Sequence, residues 1–456
     1  MSPRTILGAY SRRPVLHSSG GWPWLLLGVV IFAAALTNAL NPNISSISNV
    51  DPEAQERAAW LGRFGVLFCL WPILDFASRP GSTARLARLL KAPVVWVIFY
   101  QLIVAYHMVS DGAYWNVVGR CGDWLILVAG MAISPPMAMD KYISRIRSVF
   151  RGLIWLSLIT SVLNPTAALF YSPTNSSFIP GIDVRLAGIA GNPNQLGAIA
   201  AVAVLLEVHY LRIYKQRVSW TIVSLVMSII VLVLTQSKTS LIACSLGGSY
   251  LIGATLGRRS SKLAKGILGV GVGVAVSGVV WFIISNWVTA NVKDISTLTG
   301  RTDLWGVLWD MGWERPWFGY GPGLGVVLRD SATFKYKVAA FDAHNQLLNS
   351  FLMTGLAGIV CWFLYVVALI RGARSVSGSV RPLYIAILMV ILIRCFTESA
   401  LEPGGYYLSQ QIQTILIGCG FCKTFVGRPA IPLCRGARSP LQRTRGVVRL
   451  ATECRT

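Results

Sequence analysis

Charge is scarce in this chain: Asp, Glu, Lys and Arg make up 13% of 456 residues, against roughly 25% in a soluble domain. So few charges cannot cover a folded surface in water, which leaves lipid as the main solvent. Histidine is rarer still, with four in the whole chain. No GxxxxGK[ST] run is present, which excludes a P-loop ATPase, and HExxH and GxSxG are missing too. No period of 20–50 residues repeats and the halves are dissimilar, which counts against a repeat array and an inverted-repeat transporter. The nine cysteines build no disulfide framework, because only Cys121 falls on the outer side of the topology below. Cys419 and Cys422 form a CxxC with no second pair and no nearby histidine, so they read as packing residues.

What the chain does have is apolar length: 54% hydrophobic residues and a mean hydropathy of +0.58. The net charge of +23 would point to nucleic acid in a soluble protein. Here the basic residues are spread between apolar runs, so no nucleic-acid partner is expected. Runs at 22–40, 60–77, 92–110, 123–139, 152–171, 195–211, 219–236, 240–257, 266–289, 346–370, 382–398 and 408–426 read as spans. Pro135 and Pro136 weaken the fourth, and the first reads as a retained anchor. Of the 41 Lys and Arg residues, 29 fall between spans on one side and 10 on the other. The positive-inside rule then puts both termini in the cytoplasm. The expected fold is an all-α polytopic bundle of about twelve transmembrane helices over residues 1–426. A basic cytoplasmic tail at 427–456 touches anionic membrane lipid.

One connection is long: residues 290–345, on the outer side, rich in Trp and Tyr. Leu304, Trp305, Leu308, Trp309 and Met311 recur at helical spacing and Arg315-Pro316 ends the run. The spacing predicts a short amphipathic helix at the membrane surface, its apolar face toward lipid or the bundle. His344 closes this loop, and Asp342 or Asn345 could orient its imidazole. Three outer cations could bind an anion: Arg185 after a Pro-Gly turn, Lys238 in a tight link, and Arg301 at the start of the loop helix. Each also reads as ordinary headgroup-facing charge. Arg394 and Glu398 stand i, i+4 near the outer end of the eleventh span and read as an ion pair, with contact to substrate as the other reading.

GRTDLWGVLWDMGWERPWFGYGPG (300–323) and AHNQLLNSFLMTGLAG (343–358) resemble the signature region of the O-antigen ligase and polymerase superfamily. The ligase motif of that family is His, then Asn, Ser or Gln, then nine residues, then Gly. His344, Asn345 and Gly355 satisfy it. RLAGIAGNPNQLG and QSKTS resemble the pattern upstream of the loop. The motif continues with Thr three residues after the Gly, where this chain has Gly358. That departure favours an exopolysaccharide-polymerase-like member over a ligase. The resemblance implies metal-independent, cofactor-free glycosyl transfer in a bacterial inner membrane. The donor it implies is an undecaprenyl-diphosphate-linked glycan at the periplasmic face, and the acceptor is a glycan or a lipid-linked glycan. It implies His344 as the catalytic residue and Arg185 and Arg301 as diphosphate ligands. Lys238 joins them on position alone, with Asp342, Asn345, Arg394 and Glu398 in support. The rival class is a secondary transporter of a small solute or anion.

Reporter fusions test this topology. Fusions after residues 85, 145, 215, 261 and 376 should report cytoplasm and one near residue 330 periplasm. A cytoplasmic signal at 330 would overturn the orientation.

Overall fold

The computed structural model describes residues 94–110, 139–171, 184–213, 218–256, 301–321, 343–376 and 378–399, with Ile412, Gln413, Leu416 and Cys419. The spans expected at 22–40, 60–77 and 266–289, all but the last residue of 123–139, most of 408–426, and the tail lie outside them. The helices are α1 (Val94–Ser110), α2 (Met139–Leu163), α3 (Pro165–Ala168), α4 (Pro193–Ile213), α5 (Val218–Leu234), α6 (Lys238–Leu256), α7 (Arg301–Glu314), α8 (Gln346–Ser375) and α9 (Val380–Arg394). Tyr142–Leu163, Pro193–Ile213 and Gln346–Ser375 are each long and apolar enough to cross a membrane, and α1 and α5 are shorter apolar helices.

α4 is the axis of the described bundle and packs against α2, α5, α6 and α9. Its sequence explains why: GAIAAVAV offers small residues on every side, so neighbours approach closely all round. Apart from Asn194, every residue from Pro193 to Glu207 is buried. A Cβ on Gly197 would collide with Ser237 and Ser240, and one on Gly247 would lie 3.0 Å from the Ala386 carbonyl. These glycines let α4, α6 and α9 close on one another.

α5 has the opposite construction. Its buried positions include Thr221, Ser224 and Ser228, while Trp220, Ile222, Val223, Val226, Ile229, Ile230 and Val233 are exposed. Hydroxyls inward and branched apolar residues outward is unfavourable in water and favourable in lipid, where only the inward groups need partners. Ser228 finds one in the Ser224 carbonyl, 2.8 Å away.

Two boundaries differ from the hydropathy reading. The span expected at 152–171 is α2, displaced to Met139–Leu163, because Pro165 lacks the N–H that would carry the helix on. Leu169–Tyr171 instead pairs antiparallel with Val184–Leu186, Phe170 opposite Arg185. The all-α expectation therefore acquires one two-stranded ribbon. The span expected at 382–398 ends at Arg394, and Cys395–Glu398 forms a turn.

The earlier start of α2 carries its arginines into the protein. Arg147 donates to Glu207 Oε2 at 2.9 and 2.7 Å and to Thr221 Oγ1 at 2.7 Å. Arg151 donates to the same carboxylate, and Arg147 stacks 3.5 Å over the Tyr210 ring. Glu207 is 1% exposed. Removing it strands two guanidinium groups, and breaking a buried pair from one side costs ~3–5 kcal/mol. Glu207→Ala should therefore lower the unfolding temperature in detergent sharply, and adding Arg147→Met should recover part of the loss.

Candidate active site

The end of α4 opposite Glu207 holds the candidate site, thirteen residues or about 20 Å away along the helix. Pro193 suits the first helical position, and Asn192 Oδ1 accepts the Asn194 N–H at 2.8 Å, so α4 begins abruptly. That start fixes Asn194 between two elements remote in sequence. Arg185, held out by the two-stranded ribbon, donates through Nη2 to Asn194 Oδ1 at 2.9 Å and through Nε to the Thr235 carbonyl at 3.1 Å. Asn194 Nδ2 donates to Glu398 Oε1 at 2.8 Å. The other carboxylate oxygen, Oε2, lies 3.5 Å from His344 Nδ1. Arg394, 2% exposed, donates to the Asn194 carbonyl at 3.1 Å.

The result is a row in which hydrogen bonds join Arg185, Asn194 and Glu398, with His344 within ion-pair range of the carboxylate. It modifies the expected ion pair. Arg394 and Glu398 attract one another electrostatically, but the carboxylate hydrogen-bonds Asn194 and approaches His344. His344 is 39% exposed at its side chain against 12% for Glu398, so the imidazole is open to a reactant and the carboxylate stands behind it.

His344 has φ 49°, a conformation that costs energy for a residue with a Cβ. The surroundings impose it. Asn345 caps α8, its Oδ1 accepting Leu348 N–H at 3.1 Å, and its Nδ2 donates to the Phe396 carbonyl at 3.3 Å. Gln346 N–H donates to the Cys395 carbonyl at 2.9 Å. The start of α8 is thus tied to the turn that presents Glu398. Lys238 is the first residue of α6 rather than part of a link, and its neighbour Thr239 meets Thr397 hydroxyl to hydroxyl at 2.8 Å. Arg301 is the first residue of α7, with its side chain outside what is described. Asp342 lies outside the described residues.

α8 is broken at Gly355, where φ is 65° and ψ −161°, a region essentially restricted to glycine. The break exposes backbone groups that the turn after α7 satisfies. Leu356 N–H donates to the Pro316 carbonyl at 2.7 Å, Ala357 N–H to that of Trp317 at 3.3 Å, and Tyr320 N–H to that of Leu352 at 2.7 Å. Gly355 of the motif therefore docks the loop helix on the histidine-bearing half of α8. Leu308 is fully buried there, with Trp305 and Met311 against it, so the apolar face of α7 meets the bundle. Trp305 Nε1 donates to the Ala343 carbonyl at 2.8 Å, beside His344.

His107 lies in the last turn of α1, its Nε2 2.7 Å from the Phe318 carbonyl. Tyr320 donates to Glu314 Oε2 at 2.7 Å. Desolvation first and that acceptor second push its phenol up to about 12, so it remains a donor at neutral pH. The unusual Gly358 also has a local reason: a Cβ there would strike the Thr354 side chain. A threonine is present, one turn earlier, with its hydroxyl on the Ser350 carbonyl at 2.7 Å.

Asn194 is the residue that sequence reasoning missed. Its only local signal is Gly-Asn-Pro-Asn, which marks a helix start and not a contact 204 residues away.

Residues 222–363 match the family model described as O-antigen ligase. The match includes Lys238, Arg301, His344, Asn345 and Gly355, and excludes Arg185, Asn194, Arg394 and Glu398. No curated protein matches the chain.

The glycine break has a direct test. A Cβ at Gly355 would enter the Trp317 carbonyl, and the backbone alone adds about 1–3 kcal/mol in this glycine-only region. Gly355→Ala should therefore destabilise the protein and detach α7, read as a lower melting temperature and altered tryptophan fluorescence. Gly306→Ala, with nothing near its Cβ, should be neutral or stabilising by up to about 1 kcal/mol.

Proposed function

We propose that this chain, a membrane protein of the O-antigen ligase/polymerase superfamily acting in bacterial polysaccharide biosynthesis, transfers glycan from an undecaprenyl-diphosphate carrier to an acceptor hydroxyl. The observation that carries the reading is the row His344, Glu398, Asn194, Arg185, which joins a base, an orienting carboxylate and a cation.

The chemistry asks for little else. A diphosphate leaves without being protonated, so the carrier side needs positive charge, which Arg185 and Arg301 supply with a planar fork and Lys238 as a point charge. The acceptor oxygen attacks the anomeric carbon of the donor sugar. The carbon–oxygen bond to diphosphate breaks, and its electron pair leaves on the diphosphate. The hydroxyl proton passes to His344 Nε2, while Glu398 beside Nδ1 holds the ring and stabilises the cation that forms. Asn194 keeps the carboxylate and Arg185 in register. No step calls on a metal or cofactor.

In this reading the twelve-span topology applies, both termini are cytoplasmic, and the site faces the periplasm as an exopolysaccharide-type polymerase. The site's position at helix ends, rather than midway along helices, favours an enzyme over a transporter, whose sites lie near the midplane.

His344→Ala should lower product by roughly 10²–10⁴-fold if the ring is a general base, with the protein still folded in the membrane. His344→Gln should be equally inactive if proton removal is its role, and partly active if it only orients. Arg185→Lys and Arg301→Lys keep charge but lose the fork. At ~1.5–3 kcal/mol per charge-assisted hydrogen bond, each should cut product by about ten-fold or more, and exposed Arg371→Lys should not. Comparing long-chain glycan with accumulated lipid-linked repeat at matched expression checks these outcomes.

A further inference from the structure

α7 carries tryptophan at every fourth position, Trp305, Trp309 and Trp313, and the turn after it adds Trp317. The first is anchored beside the histidine through its bond to the Ala343 carbonyl. The others become more open with distance from it: Trp309 is 45% exposed, Trp313 52% and Trp317 69%. Trp309 and Trp313 rest on Phe351, with ring centroids 5.3 and 5.4 Å away. They are therefore held rigidly while still exposed. Each is followed by an exposed carboxylate, Asp310 and Glu314.

We propose that this row of indoles is a track that holds the sugar chain of the glycan as it leads to or from His344; the proposal rests on the glycosyltransferase reading. Three features select a glycan. Residues four apart lie on one helix face and rise about 6 Å, comparable to one pyranose unit of an extended chain. An indole offers a flat, electron-rich face to the C–H bonds of a pyranose ring, and an adjacent carboxylate accepts its hydroxyls.

The charge of α7 argues against lipid as the occupant. Helices that lie on membranes carry Lys and Arg on the polar face. Over α7 and the turn that carries Trp317, Asp303, Asp310 and Glu314 stand against Arg301 and Arg315, a net negative charge. Anionic headgroups would repel it, whereas a neutral glycan would not.

The test uses the full chain in lipid nanodiscs, with oligomers of the source strain's own repeat unit released from the carrier by mild acid. Binding is measured in the His344→Ala background, so turnover does not intrude. The pair Trp309→Leu with Trp313→Leu keeps apolar bulk and removes the aromatic faces. It should weaken oligomer binding at least ten-fold, and with His344 intact it should raise the KM for oligomer acceptors and shorten the polymer. The corresponding Phe pair should bind within about three-fold of the parent. Trp317→Leu and Asp310→Asn, both at exposed positions that leave the packing intact, should each weaken binding about three-fold or more. Unchanged binding in those two variants, or equal loss in the Leu and Phe pairs, would overturn the track. So would quenching of Trp309 and Trp313 by brominated lipid, taken as the difference between the parent and the Leu pair. Failure of the enzyme reading is separate: His344→Ala would then keep making product, while the binding measurement still reports on the track.

Discussion

The amide of Asn194 faces a guanidinium with its oxygen and a carboxylate with its nitrogen, and the reverse orientation would set like against like at both ends. Its position is in turn set by the abrupt start of α4 at Asn192 and Pro193. The ribbon bearing Arg185 and the turn bearing Glu398 meet at this one side chain, and the start of α8, next to His344, is tied to the same turn. Arg394 adds a further tie to its backbone. A long side chain such as arginine loses rotamer freedom when it is held. In the proposed diphosphate-binding role, holding Arg185 by two acceptors beforehand transfers that cost from binding to folding.

A second constraint is the break in α8. A continuous helix would satisfy its own backbone and leave none of these groups for a loop. By entering a glycine-only conformation at Gly355, the chain frees groups of Leu352, Leu356 and Ala357 for the turn after α7. A long connection becomes part of the wall beside His344. The strained backbone of His344 sits one residue before the cap of the same half-helix. The two irregularities bracket one short segment, and the reacting role proposed for His344 calls for such fixed placement.

Lipid solvent accounts for the rest of the architecture. α5 turns hydroxyls inward, α4 is buried nearly all round, and the charges of α2 survive burial only because Glu207 of α4 accepts from both Arg147 and Arg151. The charged cluster and the candidate site occupy opposite ends of α4, leaving the apolar middle free of charge, where it would be most costly.

The apolar runs, the helices α1, α4, α5, α6 and α8, the loop helix α7 and the family motif were legible from sequence. Each depends on residues within one segment, through hydropathy, a 3.6-residue period or a fixed spacing. His344, Asn345 and Gly355 could be singled out by that spacing, though not the reason for the glycine. Hydropathy misplaced α2 because its arginines lower the local average, and the carboxylate that neutralises them sits on another helix. It overran α9 because the residues after Arg394 remain apolar enough to pass, although the chain turns there. The joining of Arg185 to Asn194, and of Glu398 to both Asn194 and His344, belonged to the tertiary structure alone. Such contacts depend on how each helix is rotated about its axis and where each one starts, and packing against neighbours decides both.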